Sequence, residues 1–442
     1  MTVSTVNIPK KDGDNFFYPV MGFASSYLSK HSLFPDFIDA EPIRGTSLIV
    51  VIPCFNEPDV LTSVESLFVA DRPSFPVEVI IVVNSPENST QDVILQNRNT
   101  VAQIMSWSKK YCNDHFTVHV IDAPAFPKKH AGAGLARKAG MDEALSRFNR
   151  LGNDNGIIVS FDADSICDRN YFTELENCFS SQEITGCNIY FEHPLFGRDE
   201  SSAVYRAITG YELYLRYFVQ AMRMAGFPYA YHTVGSCFAV NAKIYALQGG
   251  MNRKTAGEDF YFLNKIFPLG NFTELNTTRV IPSSRISGRV PFGTGATMKK
   301  IVSGDLPELQ TYPLESFDEL FAFFSVLPGL FRAGEESVRK TLNSLPRCIG
   351  SYILNNGIVD IISQVNQNSS GYHTFKKRFF VWFNALRLLK FLNYARDNCR
   401  DNKPVSQNAA DLLERLGSYS EATTGKLLCT YRKIQRDTVW KH

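Results

Sequence analysis

Between residues 46 and 191 the chain alternates short apolar runs with longer stretches in which apolar residues recur every three or four positions. The runs at 47–53, 77–83, 117–121, 157–160 and 185–191 are rich in β-branched residues and read as strands, the uninterrupted ones buried on both faces. The stretches ending near residues 70, 111 and 147 carry a helical period. Strands alternating with helices imply βαβ units and a mostly parallel sheet, so the expected class is α/β.

The pattern changes on either side. Residues 1–45 are mixed and aromatic, with Tyr18-Pro19 and Phe34-Pro35 interrupting any long element, and read as an N-terminal extension packed on the main domain. After 191 come a helical run at 201–225, a glycine-led strand at 233–240, and a helix start at 255–263. The segment 279–282 then leads into a loop at 283–295 with two arginines and three glycines. From about residue 313 the chain reads as helices, at 317–331, 337–345 and 375–396, with a polar loop at 366–371. The expected organisation is an extension at 1–45, an α/β domain at 46–310 and a mainly helical region at 311–442.

Composition narrows the function classes. An apolar fraction of 44% over 442 residues supplies ample core, and 46 basic against 44 acidic residues gives a net charge of +2 with no bulk attraction to nucleic acid. The nine cysteines show no C-x-x-C pairs or regular spacing and read as reduced thiols. Neither a signal-peptide pattern nor a run long enough to span a bilayer is present, which makes the cytoplasm the default location.

Candidate chemistry centres on Asp162-Ala163-Asp164, at the end of the 157–160 strand. Side chains two apart on a strand share a face, so both carboxylates can converge on one cation. Mg²⁺ and Mn²⁺ are typically held by one or two carboxylates while substrate phosphates supply further ligands. An isolated D-x-D is more often a plain strand end, but here its neighbours matter. Pro53 to Glu57, Asn84 and Asp122 also lie at the carboxyl ends of predicted strands, where open α/β sheets bind ligands. Glu258 and Asp259 stand in the first turn of a helix, where acids suit the dipole whatever else they do. The glycine loop at 293–295 lacks the Gly-Lys-Ser/Thr ending of a P-loop, which removes an ATPase reading.

The order Ile52-Pro53-Cys54-Phe55-Asn56-Glu57, the Gly/Ala-rich segment around Arg137, Phe161-Asp162-Ala163-Asp164-Ser165 and Gly257-Glu258-Asp259 resembles the family 2 glycosyltransferases of the GT-A fold. By that resemblance the enzyme moves a sugar, with inversion, from a UDP- or GDP-linked donor to a hydroxyl acceptor that the motifs leave unidentified. Mn²⁺ or Mg²⁺ would be held by Asp164, with Asp162 shared with the metal or nearer the ribose. Pro53 and Glu57 would contact the nucleoside, Arg137 the nucleotide, and Gly132 and Gly134 would let the backbone come close. Asp259 would be the general base and Glu258 its neighbour, binding acceptor or holding Asp259. Arg285 and Arg289 would meet the diphosphate or an anionic acceptor, since a guanidinium fork matches phosphate oxygens.

One departure concerns the base. Family members commonly carry an Asp after the second strand, and Asn84-Ser85-Pro86 stands there instead, which leaves UDP against GDP open. The 375–396 stretch is basic and amphipathic, the pattern of a helix packed on its domain and also of one touching an anionic membrane, at the inner face for a lipid-linked acceptor. A sugar-phosphate nucleotidyltransferase is a weaker alternative, because the first strand-helix turn lacks a glycine-rich arginine signature. A catalytically silent scaffold is weaker again, given intact Asp162, Asp164 and Asp259.

Overall fold

The computed structural model describes residues 4–5, 22–127, 129, 131–180, 183–197, 200–255, 257–286, 294–304, 308–419, 421 and 423–440. They form two compact units. The first comprises residues up to 200, 233–296 and 436–440; the second comprises 201–232 and 297–435.

The first unit is built on one sheet. Its strands are β1 (Ser4–Thr5), β2 (Leu48–Cys54), β3 (Val77–Pro86), β4 (Phe116–Phe126), β5 (Ile157–Ser160), β6 (Ser165–Cys167), β7 (Gly186–Phe191), β8 (Phe238–Asn241) and β9 (Phe272–Pro282), in the order β1-β4-β3-β2-β5-β8-β7-β9-β6. Strands β1 to β5 pair in parallel. Strand β8 runs antiparallel to β5 and β7, β7 is parallel to β9, and β6 is antiparallel to β9. This is the α/β, mostly parallel, helix-flanked arrangement expected of a GT-A domain. The register places Leu48 beside both Val77 and Ile157, so β2, β3 and β5 start level and their carboxyl ends open on one edge. Leu48 to Ile52 and Val79 to Val83 are fully buried, which explains why these strands read as apolar runs without alternation.

The helix Ala133–Leu151 lies on this sheet through Gly140, where a Cβ would stand 2.5 Å from Val51 Cγ1 and 3.0 Å from Val82 Cγ2. That closeness buries even its polar residues, among them Arg137, Asp142, Glu143 and Arg147. The N-terminal segment docks onto them as expected. Ala24 N donates to Asn149 Oδ1 at 2.9 Å, Phe37 N to Glu143 Oε2 at 2.7 Å and Ile43 N to Glu78 Oε1 at 3.0 Å. At the other end of the chain, Trp440 N donates to Glu274 Oε2 at 3.0 Å and Arg436 lies over the Tyr190 ring at 4.9 Å.

The second unit is helical, as expected, and includes the helix Ser202–Met224 together with Leu314–Ser325 and those that follow. Its core is aromatic. Phe323, Phe324, Phe379, Phe380 and Phe383 meet with centroids 5.0–6.5 Å apart. Two expectations are corrected here. The 375–396 stretch is not one helix but two, Tyr372–Trp382 and Ala385–Asn398, because Asn384 leaves helical geometry and caps the second by accepting Arg387 N at 3.2 Å. Its residues Phe375, Phe379, Phe380, Leu388, Phe391 and Leu392 are buried inside the unit, so the apolar side of the stretch is spent on core. Cys348 and Cys399, read as reduced, form a disulfide across 51 residues of sequence. Such a pairing follows from how the helices fold back and leaves no local spacing signal. No helix among the described residues is long and apolar enough to cross a membrane.

Candidate active site

Each side chain of the site is set by the element that carries it. Beyond β2 the chain turns at Asn56, whose φ of 49° lies in the left-handed region that asparagine tolerates. Asn97, on the helix Gln91–Tyr111, fixes that turn by accepting from Asn56 N at 2.9 Å and donating through Nδ2 to the Asn84 carbonyl at 3.0 Å. Thr100 donates to the Glu57 carbonyl at 2.9 Å. One helix therefore clamps the loops after β2 and β3, and Asn84 and Glu57 end up buried.

After β5, Phe161 N donates to Val51 O at 3.1 Å, continuing the strand pairing by one residue, and Ser165 N returns to Asp162 O at 3.1 Å to close a turn. Ser63 Oγ holds the Ala163 carbonyl at 2.8 Å. With Phe161 and Ala163 facing inward, Asp162 and Asp164 point out of the turn, 37% and 29% exposed.

Two arginines gather the acids. Arg137 is 3% exposed; its Nη2 donates to Asp162 Oδ1 at 2.7 Å and its Nη1 to Glu258 Oε1. The room for this guanidinium comes from Gly235, where a Cβ would lie 2.9 Å from Arg137 Nη2. Arg285, in the loop after β9, is 22% exposed; Nη1 donates to Glu57 Oε1 at 2.9 Å, while Nη2 reaches Glu57 Oε2 and also Asp164 Oδ2 at 3.1 Å. Burial opposes the charge on each arginine, yet the carboxylates around it outweigh that and raise both pKa values.

Glu258 and Asp259 open the helix Glu258–Ile266 behind Gly257, whose φ of 69° suits glycine. Glu258 is buried against Arg137, and Asn252 Nδ2 donates to its carbonyl at 2.9 Å. Asp259 is half-buried and accepts from Phe260 N at 2.7 Å. Burial foremost, then the adjacent Glu258 carboxylate, push Asp259 up to about 7 against the pull of Arg137. Gly132 and Gly134 also let the Lys254-Thr255 backbone come close. A Cβ on Gly134 would collide with the Lys254 carbonyl at 2.0 Å, and one on Gly132 would lie 3.1 Å from that of Thr255.

Comparison with known proteins adds a weak likeness. No family model matches the chain, and no curated protein matches it. Among solved structures it is similar to S. aureus TarS 1–349 in complex with UDP-GlcNAc, at 12% identity and a TM-score of 0.40, covering 86% of this chain and 95% of that one. It is also similar to GalNAc-T7 with UDP, GalNAc and Mn²⁺, at 14% identity and a TM-score of 0.37, covering 66% and 51% respectively. At such scores nothing passes from those proteins to this one, and the chain's own geometry has to carry the chemistry.

That geometry forms two sets of ion pairs, Arg137 with Asp162 and Glu258 and Arg285 with Glu57 and Asp164, joined through the Asp162-Ala163-Asp164 turn, with Asp259 beside the first; Pro53 and Asn84 lie toward the ends of β2 and β3. Arg289 lies outside the described residues. Three residues of the site were not singled out in the sequence: Asn97, Ser63 and Gly235. A polar residue on the buried face of an otherwise amphipathic helix was the available signal for Asn97; Gly235 gave only a glycine at a strand start.

The donor set suits a metal that is completed by its substrate. Among the described residues no three His, Cys, Asp or Glu side chains are grouped to hold an ion, and the outward carboxylates here are Asp162 and Asp164. A hard divalent cation with that complement takes its remaining ligands from phosphate oxygens and water.

Proposed function

We propose that the chain is a glycosyltransferase that moves a sugar from a nucleoside diphosphate donor, UDP- or GDP-linked, to an acceptor hydroxyl with inversion. The observation that carries this reading is the placing of two outward carboxylates, Asp162 and Asp164, and of a half-buried Asp259 pushed up to about 7, at the carboxyl edge of a parallel sheet. The acceptor oxygen attacks the anomeric carbon, the carbon–oxygen bond to the diphosphate breaks, and its electron pair leaves on the phosphate oxygen. Asp259 takes the hydroxyl proton, and its raised pKa matches a base working near neutral pH. One displacement with one base and no enzymic nucleophile inverts the centre.

Mn²⁺ or Mg²⁺ held by Asp164 and Asp162 would supply positive charge where the departing diphosphate gains negative charge. Arg137 is enclosed and acts as a positioning residue, holding Asp162 and Glu258 in place. Glu57, wholly buried, holds Arg285 at the site and sits beside the nucleoside end of the crevice.

The test is a panel of nucleotide sugars with and without Mn²⁺, read by melting temperature and donor hydrolysis. A true donor at about one hundred times its dissociation constant stabilises by about 2.7 kcal/mol. No shift and no hydrolysis with any member removes the reading.

A further inference from the structure

The two arginines treat the metal carboxylates differently. Arg137 meets Asp162 from inside the protein, whereas Arg285 meets Asp164 from a partly exposed loop position. Nη2 of Arg285 sits 3.1 Å from Asp164 Oδ2, while the same guanidinium is already gripped by both oxygens of Glu57. Its Nε is buried without a hydrogen-bond partner, so the side chain holds donor capacity that this arrangement leaves unused.

A guanidinium and a divalent ion beside one carboxylate repel each other in a partly desolvated site. An ion arriving alone would have to break the Nη2–Asp164 contact, with Glu57, already engaged, the partner left to receive that N–H. A diphosphate supplies the receiver, offering oxygens to the guanidinium fork just as the ion takes Asp164.

Resting on the glycosyltransferase reading, we propose that Arg285 is a resident counter-ion for Asp164 that exchanges to the donor diphosphate, so that metal and nucleotide bind this site cooperatively and the metal binds poorly by itself. The coupling is reciprocal: each ligand tightens the other by the same factor.

Mn²⁺ binding to the full chain, followed by the loss of the free-ion electron paramagnetic resonance signal with and without UDP or GDP, tests this. In the wild type the nucleotide tightens Mn²⁺ by at least about tenfold. In Arg285→Gln, nucleotide-free Mn²⁺ affinity rises by about tenfold and the nucleotide-driven gain shrinks to match. Arg285→Lys keeps a positive charge at Asp164 and stays near the wild type without nucleotide. Because Arg285→Gln leaves the buried Glu57 carboxylate uncompensated and can impair folding, the double variant Glu57→Gln/Arg285→Gln repeats the measurement with that charge removed. If both variants bind nucleotide-free Mn²⁺ no more tightly than the wild type, while wild-type binding still needs nucleotide, the counter-ion role falls and the metal site stands. If the wild type binds no Mn²⁺ under either condition, the metal site falls and this inference falls with it.

Discussion

Arg137 and Arg285 each bridge two carboxylates, yet the surroundings of the two differ in kind. Arg137 rises from a helix packed on the sheet, lies under Gly235 and is 3% exposed. Arg285 sits past the end of β9 and is 22% exposed. A charge enclosed on every side cannot change partners without opening the fold, so Arg137 belongs to the scaffold of the acids. A charge at the rim can trade a carboxylate for a phosphate more easily, which is the role proposed for Arg285. The same residue type, paired each time with one Asp and one Glu, thus stands in two different environments.

The largest effect should come from Asp259, the acid beside the Arg137 ion pairs. Asp259→Asn is expected to retain donor binding by thermal shift and to lose transfer by about 10²–10⁴-fold. Normal turnover in that variant would move the base elsewhere and take the Arg137 side of the comparison with it. Next in size is stability. Arg137→Gln strands Asp162 and Glu258 and should cost about 3–5 kcal/mol in urea unfolding, as expected when one partner of a buried pair is removed. Arg285→Gln also strands a buried carboxylate, Glu57, but removes a guanidinium open to solvent, and should cost less, about 2–3 kcal/mol. Equal losses would erase the distinction between the two arginines.

The pH dependence is a finer probe. With Asp259 pushed up to about 7, kcat/KM should rise as pH increases through that value, because the base works only when deprotonated. Glu258 is one cause of the shift, so Glu258→Gln should move the limb to lower pH. A limb that stays in place would assign the titration to another group.

How much of this was legible depends on how local each feature is. Strands β2, β3 and β5 were readable because both faces are buried and the apolar runs are uninterrupted. Asp162, Asp164 and Asp259 were readable because each sits in a short motif at an element's end. The pairing of Arg285 with Glu57 was not, since 228 residues separate them and nothing near either predicts the other. The placing of the helix Ser202–Met224 in the helical unit and the Cys348–Cys399 bond are likewise products of chain return. The break at Asn384 was missed for the opposite reason: a helical period ran straight across it, and a single capping asparagine overrode the pattern.

Glu143 offers the smallest effect and a third environment, a buried acid with no arginine in hydrogen-bonding reach. Glu78 is the control: although burial raises it, His119 and Arg147 bring it down to about 2. Around Glu143, burial first and then Asp36 push the carboxyl up to about 7, and the Phe37 N–H, Arg147 and Arg150 only partly resist. Arg150 Nη2 stays 3.9 Å from Oε1, and that oxygen has no hydrogen-bond partner. A folded-state pKa raised above the unfolded value of about 4.3 means that this group's stabilising contribution is complete below that pH and is lost as pH climbs through 7. Glu143→Gln mimics the neutral acid and still accepts from Phe37 N. It should therefore melt with the wild type at pH 5 and about 2–4 °C above it at pH 8. A difference that stays constant with pH would mean that Arg150 swings in and holds Glu143 ionised, as Arg147 holds Glu78, and enclosure would then no longer separate the acids that need an arginine from those that do without.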